Sequence, residues 1–185
     1  MRTIQITLIT FSLLLGTSPC LADGKLDLMF GGFTINASTD NGSGSMSGIG
    51  SYLVAYHYPL SSSLELGLGY SLNATETFGG DLGYGPDLGL SYFPVTTTQT
   101  TEFRNADTSI RISPLWRPYF SLSFHQRQFQ STQSSYGGFG LAVGGEYQWR
   151  PDLSLKAEVR ALGLSGPSNS KATEFDGFVG ISLPL

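Results

Sequence analysis

Between Ser63 and Leu72 the chain reads SLELGLGYSL, and every second residue is large and apolar: Leu64, Leu66, Leu68, Tyr70 and Leu72. Between them stand Glu65, Gly67, Gly69 and Ser71. Successive side chains of a β-strand point to opposite faces, so this is a strand with one apolar face and one face of small residues and a single carboxylate. A polar face turned to water usually carries Lys, Glu and Thr. Glycines and an isolated charge suit the cramped inside of a narrow barrel whose outside meets lipid.

The same alternation recurs in chain order. Lys25 to Asn36 sets Leu26, Leu28 and Phe30 against Asp27, Met29 and Gly31, and the tandem Gly31-Gly32 predicts a bulge or bend. Met46 to Tyr58 puts Tyr52, Val54, Tyr56 and Tyr58 on one face, with Ser51, Leu53, Ala55 and His57 on the other. Tyr84–Phe93, Arg117–Gln130, Gly137–Trp149, Leu153–Leu164 and Glu174–Leu185 complete a set of eight strands. Short turns at 59–62 and 150–152 alternate with longer polar loops at 37–45, 73–83 and 165–173. This predicts an all-β fold, an eight-stranded antiparallel up-and-down transmembrane β-barrel. The aromatics Tyr58, Tyr92, Tyr147 and Trp149 then fall at strand ends on the short-turn side, where an interfacial girdle belongs.

Composition bounds the class. Charged residues make up 13% of the 185, about half the soluble average of roughly 25%. Outside the N-terminus no run of about 20 apolar residues could form a membrane helix. Met1–Ala22 has the features of an export signal: Arg2, an apolar core from Ile4 to Leu15, and small residues at Cys20 and Ala22 before cleavage ahead of Asp23. Acylation of a retained Cys20 is the rival reading, and Pro19 beside it fits that poorly. Without the leader, 9 basic residues face 14 acidic ones, a net charge of −5, and no cysteine is left for a disulfide. This is no nucleic-acid footprint.

One stretch departs from the pattern. Val95 to Trp116 stands where a short turn is expected, and it is too polar to face lipid. Thr96–Thr98, Thr100-Thr101 and Ser109–Ile112 are strand-prone, with a turn at Asn105-Ala106-Asp107. The expectation is a hairpin over 95–116, formed by the fourth and fifth strands running on beyond the membrane; a disordered insertion is the alternative.

The segment Gly137–Arg160, GGFGLAVGGEYQWRPDLSLKAEVR, resembles the penultimate hairpin of small OmpA-like and opacity-type outer-membrane barrels. The apolar alternation that runs to the last residue resembles the C-terminal signal of such barrels, with Pro184-Leu185 in place of the usual terminal aromatic. The resemblance implies a monomer in the outer membrane of a Gram-negative bacterium, contact with outer-membrane lipid and lipopolysaccharide, and handling by the barrel-assembly machinery through the last strand. Both termini then lie on the periplasmic side, where the 95–116 hairpin is placed to meet a periplasmic partner. The family spans adhesins, structural barrels and a few enzymes, so the fold does not assign a role.

Pooling the inward positions gives Glu65, Asp87, His125, Arg127, Glu146, Lys156, Glu158, Arg160 and Asp176. Charges inside an eight-stranded barrel must pair, and an ionic plug with no open pore is the principal expectation. A narrow channel or a route for an apolar solute is the alternative. A lipid A-modifying enzyme is a third reading, because comparable barrels carry lipid A deacylases and palmitoyltransferases. His125, with Ser121 and Ser123 on the same face, is the one candidate catalytic group, and the His-x-Ser order of the deacylases is absent. No metal or cofactor site is expected, since neither histidine has a second ligand at metal spacing. Sequons at Asn36, Asn41 and Asn73 carry little meaning in a bacterium. A soluble barrel of lipocalin type, with the apolar face inward around a ligand, is the competing fold.

Overall fold

The structure is a computed structural model that describes residues 24–39, 42–75, 81–95, 101–105, 108–112, 115–130 and 133–185. The export signal, Cys20, Asn41 and the 106–107 part of the expected turn lie outside the described residues. Ten strands run in chain order: β1 (Lys25–Thr39), β2 (Gly42–Pro59), β3 (Leu64–Ala74), β4 (Leu82–Tyr92), β5 (Thr101–Asn105), β6 (Thr108–Ile112), β7 (Trp116–Phe129), β8 (Ser134–Arg150), β9 (Leu153–Ser165) and β10 (Lys171–Pro184). Eight close into a barrel ordered β1-β2-β3-β4-β7-β8-β9-β10, with β10 pairing back onto β1. Every pairing is antiparallel. The fold is the eight-stranded barrel that the alternation predicts.

The period-two pattern decides which way each side chain points. Phe30, Leu68, Leu90, Leu122, Leu141 and Val159 stand exposed on the outside, while Asp27, Ser71, Ser91 and Arg127 are buried within. The lipocalin-type alternative requires the reverse, and these orientations exclude it. Glycines let the wall pack tightly at particular crossings. A Cβ on Gly138 would lie 1.9 Å from the Gly163 carbonyl oxygen, and one on Gly31 would lie 1.7 Å from that of Gly177. A bulge falls at the tandem glycine: pairing of β1 with β2 shifts between Gly31↔Ser51 and Phe33↔Gly48, and the extra residue is on β2, where Ile49 and Gly50 stand opposite Gly32. Pairing of β4 with β7 lapses between Tyr84↔Gln128 and Asp87↔His125, where Pro86 has no N–H to give. There the Arg127 Nη1 donates to the Gln126 carbonyl at 3.3 Å.

Three expectations about connections are corrected. The polar stretch at 37–45 is strand at all its described residues, and barrel strands run into both ends of the stretches at 73–83 and 165–173. β1 runs to Thr39 and β2 begins at Gly42; β3 ends at Ala74 and β4 begins at Leu82; β9 ends at Ser165 and β10 begins at Lys171. Serine and glycine are weak strand formers, but here Ser38 pairs with Ser43 on one side and Lys171 on the other, so the ladder overrides propensity. The described residues Thr101–Asn105 and Thr108–Ile112 pair with each other in a two-stranded sheet, β5 with β6, that is separate from the barrel ladder and not an extension of its strands. Pro94 follows β4 and removes the N–H that a continuing ladder needs. Finally, the last strand starts three residues before the expected Glu174.

The close crossings generate a test. Gly138→Ala should shift the wall, at a cost of about 1–3 kcal/mol as in overpacked cores, and the compact unboiled band on a denaturing gel should be lost at a lower temperature. Gly177→Ala, where a new Cβ meets nothing within 4 Å, should leave that temperature unchanged.

Candidate functional site

The lumen is where chemistry concentrates, and its levels can be followed from the end that carries both termini. Phe93, directly after β4, turns inward and is 1% exposed. Its ring takes the Arg117 guanidinium at 4.3 Å and the Lys25 ammonium at 5.1 Å from the centroid, with the Tyr119 ring 5.2 Å away. Cations over an aromatic face are attracted by its quadrupole. Behind this lid lies a quartet of two bases and two acids. Lys25 Nζ is 2.9 Å from Glu65 and 3.1 Å from Glu146; Arg117 reaches Glu65 at 3.5 Å and Glu146 at 3.3 Å.

The next level is built around Asp27. Lys156 Nζ lies 2.5 Å from its Oδ2, and His57 Nε2 approaches the same oxygen at 3.0 Å. Tyr119 places its ring 4.7 Å beneath the Lys156 ammonium and donates from its hydroxyl to Glu158 at 2.6 Å. Arg160 pairs with Glu158 from the other side.

The third level centres on Arg127, which is fully buried. Its Nη1 donates to Asp87 Oδ1 at 2.6 Å and its Nε to Glu174 Oε1 at 3.2 Å. Asn73 donates to the same Glu174 oxygen at 2.9 Å, and Ser51 donates to Asn73 at 2.6 Å. Asp176, 2% exposed, has neither carboxylate oxygen hydrogen-bonded among the described residues. Beyond this level the lumen turns apolar: Phe33, Ile35, Phe129, Leu162, Leu164 and Ala172 pack into one cluster.

All the pooled positions come together here. Glu65, Asp87, Arg127, Glu146, Lys156, Glu158 and Asp176 are buried, and Arg160 is nearly so. Sequence reasoning omitted Lys25, Asp27, Arg117 and Glu174, which anchor the network as firmly as any residue it named. The signal for them was parity: Asp27 shares a face with Met29, Arg117 with Tyr119, and Glu174 with Asp176. Tyr58, Tyr92, Tyr147 and Trp149 stand at the terminus-bearing end, joined by Trp116, which is 55% exposed and pairs with Tyr147.

His125 has the partners of a catalytic histidine. Ser123 Oγ lies 2.6 Å from its Nε2, and Asp87 Oδ1 lies 2.8 Å from its Nδ1. A hydroxyl, an imidazole and a carboxylate in this order form the nucleophile–base–orienter arrangement. What surrounds them is tight. The free space beside them, bordered by Gly89 on the neighbouring strand β4 and by Gly67 and Gly69 on β3, is about 30 Å³, enough for a water molecule or two. Nη2 of Arg127 also sits 3.3 Å from Nδ1. Among the described residues no three His, Cys, Asp or Glu side chains are grouped to hold a metal ion.

No protein-family model matches the sequence, and no curated protein matches it either. The architecture, by contrast, has clear counterparts. Neisserial surface protein A superposes with a TM-score of 0.60 at 14% identity, over 88% of this chain and 97% of that one. The outer membrane protein OprG from Pseudomonas aeruginosa superposes with a TM-score of 0.51 at 12% identity, over 88% of this chain and 95% of that one. The chain therefore has the fold of the small eight-stranded outer-membrane barrels.

The ion network is testable through its most buried member. Removing one partner of a buried pair strands the other. Arg127→Met is expected to lower folding stability by about 3–5 kcal/mol, read as a shift of the urea midpoint in lipid vesicles. Adding Asp87→Asn and Glu174→Gln to that variant should recover most of the loss.

Proposed function

We propose that the protein is a monomeric outer-membrane barrel with a structural or surface-interaction role, closed by its own lumen and without enzymatic activity. The observation that carries this reading is the contrast between the two sides of the wall. Large apolar side chains line the outside over the height of the strands, while the inside holds paired charges between an aromatic lid and an apolar cluster. A wall of that polarity suits a bilayer, where every backbone group must find its partner within the sheet. A lumen so filled leaves no continuous aqueous path, which argues against the channel reading.

In this reading the terminus-bearing end is periplasmic, Tyr58, Tyr92, Tyr147, Trp149 and Trp116 sit at its lipid interface, and outer-membrane lipid and lipopolysaccharide surround the belt. The last strand, β10, is the handle for the barrel-assembly machinery. The β5–β6 hairpin leaves from the periplasmic end, where it is placed to touch a periplasmic partner. Crosslinking in cells with and without residues 95–116 tests that contact.

The enzyme reading has one observation in its favour, the Ser123–His125–Asp87 arrangement. The closed lumen weighs against it, because a lipid substrate has no way to the hydroxyl.

The expected outcomes follow. The protein should fractionate with outer membranes, migrate differently boiled and unboiled, and give no conductance steps in a planar bilayer. Steady steps from the unaltered protein would overturn the closed-lumen reading. The acyl count of lipid A by mass spectrometry should be the same with and without the protein. A change in that count that disappears with Ser123→Ala would establish an enzyme instead.

A further inference from the structure

The outward face of β8 carries Phe139, Leu141 and Val143, then Gly145 at the next outward position, then Tyr147. The cross-strand partner of Gly145 on β9 is Ala157, and Ala157 stands in turn beside Val179 on β10. Two small residues side by side leave a dent in a wall that is otherwise bulky. An aromatic ring borders the dent on each side. Trp116 leans over Gly145 so closely that a Cβ there would lie 2.5 Å from its ring. Phe30, the β1 partner of Val179, stands on the other side. Between the two rings lies an open apolar groove of about 600 Å³, which Tyr147 lines toward the terminus-bearing end.

The groove is continuous with the apolar belt, so what touches the belt reaches its floor. Its depth names the leaflet. Arg150 ends β8 five residues beyond Gly145, roughly 17 Å of strand at about 3.4 Å per residue. With strands tilted by about 35–45°, that is roughly 13 Å along the membrane normal, less than half of a hydrocarbon core about 30 Å thick. The groove therefore lies within the acyl region of the leaflet at the terminus-bearing end. Arg150 marks the headgroup level above it. It is exposed, and its guanidinium lies 5.8 Å from the centroid of the Trp149 ring. A guanidinium there complements a phosphate.

We propose that this groove holds one acyl chain of a glycerophospholipid from the leaflet at the terminus-bearing end, with the lipid phosphate on Arg150. A chain seated over Gly145 and Ala157 is touched on three sides, by the floor and by the rings of Trp116 and Phe30, whereas a chain on the convex belt is touched on one. The extra dispersion contacts hold it longer than its neighbours. The inference rests on the outer-membrane reading, in which the terminus-bearing end is periplasmic and lipopolysaccharide belongs to the opposite leaflet. A second copy of the chain fits poorly. A two-fold contact brings the same patch of both subunits together, and two facing dents leave a void between them.

The test uses the full mature chain refolded into vesicles of phosphatidylethanolamine and phosphatidylglycerol, then released in a mild detergent. Native mass spectrometry should find one phospholipid retained per barrel. Ala157→Phe, whose ring would occupy the floor, should lower the retained fraction about tenfold or more. Ala161→Phe, at another exposed outward position of β9, should leave it unchanged. Arg150→Gln should lower it about threefold. No retained phospholipid, or equal retention by Ala157→Phe and the unaltered chain, would overturn the groove site. Equal retention by Arg150→Gln would overturn the phosphate contact, while the Ala157 result still judges the groove. A dimer that disappears with Ala157→Phe would replace the lipid by a second copy. If Ala157→Phe fails to give the compact unboiled band, Ala157→Leu takes its place. Failure of the unaltered chain to enter vesicles at all would overturn the outer-membrane reading together with the groove. Insertion without a retained lipid would overturn the groove alone.

Discussion

Fourteen consecutive residue pairs, from Lys25↔Pro184 to Ser38↔Lys171, join the first strand to the last. That closure is the condition for the rest of the molecule. An open sheet in lipid would leave two edges of unpaired backbone, each group costing several kcal/mol. Once the ring is shut, every side chain has one of two addresses. The register of each pair then fixes which inward groups meet across the lumen, because a slip of one residue would send the whole charged set outward.

Inside that ring, the chemistry is layered along the axis. The half nearest the termini is ionic, with Asp27, Glu65, Glu146 and Glu158 meeting Lys25, Arg117, Lys156 and Arg160. The outer part is apolar, built by Phe33, Ile35, Phe129, Leu162 and Leu164. Buried ion pairs are weak evidence for stability in themselves, since desolvation offsets much of their attraction. Their consequence here is mutual dependence: each charge is tolerable only while its partners stay in place. The Ser123–His125–Asp87 chain belongs to the same logic, as a polar network whose members satisfy one another in a space too small for a substrate.

The wall departs from simple closure at its two ends. At one, Pro94 stops the ladder and the chain makes the independent β5–β6 pair before returning at Trp116. At the other, β2 pairs with β1 from Gly42, while its pairing with β3 among the described residues begins at Gly50. Both departures lie clear of the apolar belt, where water can solvate what the sheet does not pair.

Much of this was legible in the alternation alone. Leu64 to Leu72 gave away the strand, its two faces and the barrel, because a period of two admits one geometry. The inward set from Glu65 to Asp176 could be read by parity, and the same rule reaches Asp27 and Glu174, which lie within the strands drawn from the sequence and share faces with Met29 and Asp176. The limits themselves could not be read. Ser38 and Lys171 have no strand preference of their own, and they are strand because a neighbour on each side offers a ladder. Nor could the partners be read. That Arg127 serves Asp87 and Glu174 together, that Phe93 lies under Arg117, and that His125 joins Ser123 to Asp87 depend on which strands become neighbours when the ring closes. By itself, then, the sequence determined the two-faced strands and the polarity of each face, which are local. Only the tertiary structure decided pairing and sealing, because those depend on contacts between residues as far apart as Lys25 and Pro184.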